Sequence, residues 1–137
     1  MSKVIVNKLF AHVQKKIKVG AKEGFDTVAL DIQRTTSGAS PFKTGVLQKN
    51  HLDIDYGKGS WLSTIYFVAD NNGFDYAEWT HEATYNLGPK SQAKPDADSK
   101  FAGIVPVGRK YATRVVEQGE DAYKEHITNE ILDALGK

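Results

Sequence analysis

Leu52-Asp53-Ile54-Asp55-Tyr56-Gly57-Lys58-Gly59-Ser60-Trp61-Leu62-Ser63-Thr64-Ile65-Tyr66-Phe67-Val68-Ala69 is the stretch that decides the fold. Leu52, Ile54 and Tyr56 alternate with Asp53 and Asp55, the period of a half-buried strand. Residues 61–69 are rich in β-branched and aromatic side chains and read as a second strand. Gly57-Lys58-Gly59 joins the two as a hairpin. The sheet is therefore antiparallel and covers residues 50–56 and 61–69, with Leu52, Ile54, Ile65 and Phe67 expected to be mostly buried.

The period changes on either side of this hairpin. Leu9, Phe10, Val13, Ile17, Ala21, Phe25, Val28 and Ile32 recur every three or four residues and predict a helix over 7–36. Asn7 is its candidate N-cap, and Thr35-Thr36-Ser37-Gly38 is where it is expected to fade. Gly20 and Gly24 stand four apart in it, each costing about 1 kcal/mol of helix propensity. They mark either a break or a face where another backbone comes close. A second stripe, Tyr111, Ala112, Val115, Val116, Gly119, Ala122, Tyr123, Ile127, Ile131, Leu132 and Leu135, predicts a helix over 108–135 closed by Gly136. Val28 and Val115 are expected inside. Asp70-Asn71-Asn72-Gly73 is a turn. Residues 76–82 read as a third strand or a short helix, since seven residues cannot decide the period. The stretch 86–103 holds Gly88, Pro89, Pro95 and Gly103 among polar residues and reads as a flexible loop. The order of helix, strands, loop and helix is that of an α+β fold: an antiparallel sheet packed by a long N-terminal helix and a C-terminal helix. At 137 residues this is expected to be one domain over 1–137.

Composition narrows the function. There is no cysteine, which removes disulfides, thiolate metal sites and thiol nucleophiles. Met1-Ser2-Lys3-Val4 does not open a signal peptide, and no apolar run reaches the roughly 18 residues of a membrane span. A soluble protein made in the cytoplasm, without a membrane partner, is expected. Net charge is only +1, which disfavours a dedicated nucleic-acid binder. The charge is uneven: residues 1–50 carry nine Lys and Arg against three acids, and residues 51–137 nine against fourteen. Such a split suits attraction within one fold or between copies.

Catalytic patterns are weak. His81-Glu82 begins like a zinc-protease helix, but the second histidine would fall at 85, which is Tyr85. Gly57-Lys58-Gly59-Ser60 lacks the spacing of a phosphate loop. Lys15, Lys16 and Lys18 make a short basic run whose ordinary explanation is a solvated helix face. No catalytic, cofactor or metal residues are assigned. Trp61, Tyr66, Phe67, Tyr76, Trp79 and Tyr85 fall within 25 residues, as a sheet core or as an aromatic row for a subunit contact.

Pro41-Phe42-Lys43-Thr44-Gly45-Val46-Leu47 resembles the Pro-x-x-Thr-Gly-x-Leu motif of bacteriophage tail-completion and head–tail connector proteins, including the minor capsid group. In that family a hairpin follows, then a Tyr-Ala segment, here Tyr76-Ala77-Glu78-Trp79-Thr80-His81-Glu82. A variable loop and a C-terminal helix opened by Gly108-Arg109-Lys110-Tyr111 complete the order. Many relatives carry Gly-Thr after the acidic residue, where this chain has Ala83-Thr84. The resemblance spans nearly the whole chain. It implies a non-enzymatic virion protein at the head–tail junction, assembled in the host cytoplasm into a ring, commonly of six copies. The ring would lie between a head-side adaptor and the tail tube, with genomic DNA passing through the lumen without sequence-specific binding. Pro41, Phe42, Thr44, Gly45, Leu47, Tyr76, Trp79, His81 and Glu82 are the interface candidates. The competing readings are a nucleic-acid-binding or toxin-like α+β module using the first helix, and a small hydrolase using His81 and Glu82.

Overall fold

The computed structural model describes residues 3–42, 50–57, 59–67, 70–71 and 74–137. The fold is α+β. The elements run α1 (Lys3–Ala39), β1 (Asn50–Asp55), β2 (Leu62–Phe67), β3 (Asp70–Asn71), β4 (Phe74–Asp75), α2 (Tyr76–Glu82), α3 (Pro89–Ala93), β5 (Ala97–Ser99), β6 (Gly103–Val105) and α4 (Tyr111–Leu135). The described strands do not gather into one central sheet. They form three antiparallel hairpins, β1–β2, β3–β4 and β5–β6. The chain divides into two compact units, residues 1–28 with 121–137, and residues 29–120.

The smaller unit is a pair of helical segments. A Cβ on Gly20 would lie 2.6 Å from the Glu130 carbonyl oxygen and 2.8 Å from Ile131 Cα, and one on Gly24 would lie 2.9 Å from Ile127 Cα. Rising numbers on α1 meet falling numbers on α4, so the two run antiparallel. The glycines are thus the close approach and not a break. Lys16 Nζ donates to the Lys137 carbonyl at 2.7 Å along the same seam, and Val28 and Tyr123 are buried in this unit.

In the larger unit, β1 and β2 pair in the expected register, with Leu52 opposite Ile65 and Ile54 opposite Ser63. Tyr56 and Trp61 close the turn with rings edge to face at 5.3 Å. Leu52, Ile54, Ile65 and Phe67 are only half-buried, because a two-stranded ribbon covers little of its own face. The buried residues are mostly small or hydroxylated: Ala29, Ala39, Ala97 and Ala102, with Thr35, Thr36, Ser40, Ser91 and Ser99, around Val105, Tyr111 and Val115.

Helix α1 outlasts its expected end at 36. Ser37 Oγ donates to the Gln33 carbonyl at 3.0 Å and Ser40 Oγ to the Ser37 carbonyl at 2.7 Å, so these hydroxyls bond back along the helix. Lys94 then caps the end, its Nζ donating to the carbonyls of Ser37 at 2.8 Å and Ser40 at 2.6 Å. At the other end α1 is helical from Lys3, so Asn7 lies inside it. Helix α4 starts at Tyr111 and not at 108, because Lys110 takes a left-handed φ of 55° and gives its N–H to the His81 carbonyl at 2.7 Å.

The stretch 86–103 is the largest departure. It holds α3 and a hairpin where the sequence suggests a flexible loop. Ser91 Oγ donates to the Phe42 carbonyl at 3.1 Å and accepts from the Phe42 N–H at 2.8 Å. Ser99 Oγ donates to the buried Asp31 carboxylate at 2.6 Å and accepts the N–H groups of Phe101 and Ala102. Gly103 supplies the φ of +80° that turns β5 into β6, and Gln118 Nε2 donates to the carbonyls of Ala102 and Ile104.

Candidate functional site

Asp75 ends the β3–β4 hairpin in an extended conformation and accepts the Glu78 N–H on its side chain at 2.9 Å. That cap makes residues 76–82 a helix, where sequence left strand and helix open. Ala77 and Thr80, three apart, face inward, and Trp79 and Glu82 face out. Thr80 Oγ1 lies 3.3 Å from the Tyr111 hydroxyl, which donates to the Ala77 carbonyl at 2.8 Å. Tyr111, 1% exposed, pins α2 to the start of α4. The rings of Phe67 and His81 meet it edge to face, at 5.8 Å and 4.9 Å. Burial pushes the Tyr111 phenol above its ordinary value.

An ionic latch closes the outer end of α2. The Glu82 carboxylate takes the Lys110 ammonium on one oxygen and lies 2.9 Å from His81 Nδ1 with the other. Arg109 donates to the Glu82 carbonyl at 3.2 Å. The Lys110 bond, then the His81 bond, hold Glu82 below the usual carboxylate range. With the proton on Nδ1, His81 Nε2 is left to accept from Thr113 Oγ1, 3.4 Å away. This series of hydroxyl, imidazole and carboxylate has the order of a nucleophile and its base. Here Lys110 competes for the carboxylate, so the series works first as a clamp that fixes the His81 ring and joins α2 to α4. Beside it lies an open depression lined by Arg109, Lys110, Thr113, Arg114 and Glu117, three cations to one acid, which suits an acidic group on a partner. Among the described residues, no three His, Asp or Glu side chains gather to hold a metal ion, and no helix is long and apolar enough to cross a membrane.

Trp79 is the outward feature of this corner. Its indole is 43% exposed and stacks on Tyr85 at 5.1 Å with 19° between the planes. The Tyr85 hydroxyl donates to the Thr80 carbonyl, and burial pushes its pKa up to about 12.

The expected site residues thus separate. Trp79, His81 and Glu82 share the corner, with Tyr76 half-buried at the first turn of the same helix. Pro41 is buried, and the half-buried Phe42 is bonded through its backbone N–H to Ser91 Oγ, with Lys90 Nζ 6.0 Å from its ring centre. Thr44, Gly45 and Leu47 lie outside the described residues. Sequence reasoning did not assign Lys110, Tyr111 and Thr113 to the site. The local signal for Lys110 was its place in Gly108-Arg109-Lys110-Tyr111, the stretch that opens the C-terminal helix.

No protein-family model, curated protein or solved structure matches this chain.

Proposed function

We propose that this chain is a structural protein of a bacteriophage virion that joins head to tail as a ring of copies through which DNA passes. The observation that carries the reading is Trp79. Helix α2 is fixed on its inner side by Thr80, Tyr85 and Tyr111 and at its end by Glu82 and Lys110, yet its largest side chain is left half in water. A rigidly mounted, exposed indole beside a basic depression has the makings of an interface anchor with a polar rim. The order of segments from Pro41 to Tyr111, similar to that of tail-completion and connector proteins, directs the reading to the head–tail junction. The partners in this reading are further copies, six to a ring, a head-side adaptor and the tail tube. DNA passes without sequence-specific contact, and assembly takes place in the host cytoplasm. The role requires no catalysis.

Electron microscopy of particles lacking the protein tests this. The expected result is filled heads and separate tails, with joining restored by the wild-type chain and not by Trp79→Ala. Normal joined particles without the protein would overturn it. The nucleic-acid module is the second reading, favoured by Lys15 and Lys18, both exposed on α1. Tight DNA binding by the isolated chain that falls steeply with salt would select it.

A further inference from the structure

The outer face of the β1–β2 ribbon is made of alternate residues, so its members follow from the register. His51 stands opposite Tyr66, Asp53 opposite Thr64 and Asp55 opposite Leu62. His51, Asp53, Asp55, Leu62 and Tyr66 are exposed, while Leu52, Ile54 and Ile65 of the inner face are half-buried. Leu62 is 62% exposed and Tyr66 49%, with the His51 ring stacked 6.3 Å from that of Tyr66. Among the described residues, no hydrogen bond or ion pair engages the carboxylate of Asp53 or Asp55. One face of the ribbon thus carries two open carboxylates, about 7 Å apart along the strand, beside two large apolar side chains.

The corner formed by α2 and the start of α4, in the same unit, is the complement of that face. Lys110 is spent on Glu82. Arg109 gives one N–H to the Glu82 carbonyl, and Arg114 gives its Nε–H to the Arg109 carbonyl. A guanidinium has five N–H groups, so both arginines keep most of theirs for a partner. Both line the open depression, with Glu117 as its one acid and Val107 as an apolar part of its wall. Both also act electrostatically on the Tyr85 phenol, which sets the exposed Trp79–Tyr85 stack at the edge of the depression. Two open guanidinium groups beside an exposed indole therefore match two open carboxylates beside Leu62 and Tyr66. A nucleic acid would engage the guanidinium groups and leave the ribbon's carboxylates and Leu62 unanswered, whereas a second copy answers both. We propose that the outer face of the ribbon of one copy docks on this corner of the next, Asp53 and Asp55 on Arg109 and Arg114, with Leu62 against Trp79. The two surfaces differ, so the contact runs head to tail and leaves one of each open on the pair, the type of contact that closes rings. The inference rests on the self-association in the function proposed above and deepens it by assigning the contact to particular residues.

Sedimentation velocity of the full chain, from micromolar to several hundred micromolar, tests it. The wild type is expected to self-associate, and less so as salt rises. Asp53→Lys with Asp55→Lys, both at exposed positions, should weaken association at least tenfold, about 1.4 kcal/mol, with circular dichroism unchanged. Arg109→Glu with Arg114→Glu should do the same. Mixing the two folded variants should restore association, because each then offers the charge the other needs. Where the arginine variant fails to fold, the aspartate variant and Trp79→Ala decide the matter, and both should associate more weakly than the wild type. A wild-type chain that stays monomeric throughout, association that ignores the aspartate variant, or no recovery on mixing would overturn the inference. So would a monomeric chain that binds DNA through Arg109 and Arg114, which would give the corner to nucleic acid. Association through these residues in a chain that heads and tails do not need for joining would leave the inference standing and sink the virion role alone.

Discussion

Replacing Gly20 by alanine tests the close approach of α1 and α4 by the sign of its effect. Helix propensity alone predicts a gain of about 1 kcal/mol. The tertiary contact predicts a loss. The added methyl would lie 2.6 Å from the Glu130 carbonyl oxygen, 2.8 Å from Ile131 Cα and 2.9 Å from Ala134 Cβ, where ordinary carbon contacts need roughly 3.5–4.0 Å. Two of these three atoms are backbone, so no rotamer change relieves them and the helices must move apart. Overpacking of that kind costs typically about 1–3 kcal/mol. Taking the upper end and subtracting the propensity gain leaves a net loss of about 2 kcal/mol. For a chain of this size that lowers the melting temperature by roughly 5–8 °C. The assay is thermal unfolding followed by circular dichroism, with Gly24→Ala and Gly88→Ala in parallel. Gly24 meets one atom at 2.9 Å and its next two at 3.4 Å, so its loss should be smaller, and Gly88 has nothing within 4 Å and should show almost none. A melting temperature that rises in Gly20→Ala would refute the close helix contact.

Ser99→Ala should cost about 1–3 kcal/mol in chemical unfolding, because it removes a donor from the buried Asp31 carboxylate and the acceptor of two turn N–H groups. Deleting residues 90–100 should unfold much of the larger unit, seen as lost circular dichroism signal and protease resistance, because it removes Ser91, Lys94 and Ser99 together. A deletion variant that melts like the wild type would restore the reading of this stretch as a loose loop. Burial lowers the Lys94 pKa to about 8, below the ordinary lysine value of 10.5. Over that interval the unfolded chain binds the proton that the folded chain has released, so stability should rise with pH between about 8 and 10.5. Unfolding measured across this range should show the rise in the wild type and its absence in Lys94→Met.

How much of this was legible in the sequence depends on which atoms make the contacts. The stripes from Phe10 to Ile32 and from Tyr111 to Leu135 are long enough for the period of 3.6 to outweigh local noise, and both fall on helices. Leu52, Ile54 and Ile65 alternate around a glycine turn, and the hairpin with its register follows from local chemistry. The helix at 76–82 was undecidable by period and was settled by one capping carboxylate, Asp75.

The stretch 86–103 looked empty because pattern reading counts large apolar side chains, whereas here Ser91, Ala97, Ser99 and Ala102 are buried. The partners of Ser91, Lys94 and Ser99 on α1 and just after it, Phe42, Ser37 and Asp31, lie 49 to 68 positions away, beyond any local window. The candidate site has the same character. Trp79, His81 and Glu82 were visible as a group, but Lys110, Tyr111 and Thr113 join them from about thirty residues further on. The sequence by itself determined the elements whose stability is local: two amphipathic helices and a twisted ribbon. Tertiary structure alone decided where α1 and α4 stop and start, why two glycines interrupt a good helix, and which cation holds Glu82. Those outcomes rest on hydrogen bonds and close contacts between residues far apart in the chain, and such pairings leave no periodic trace.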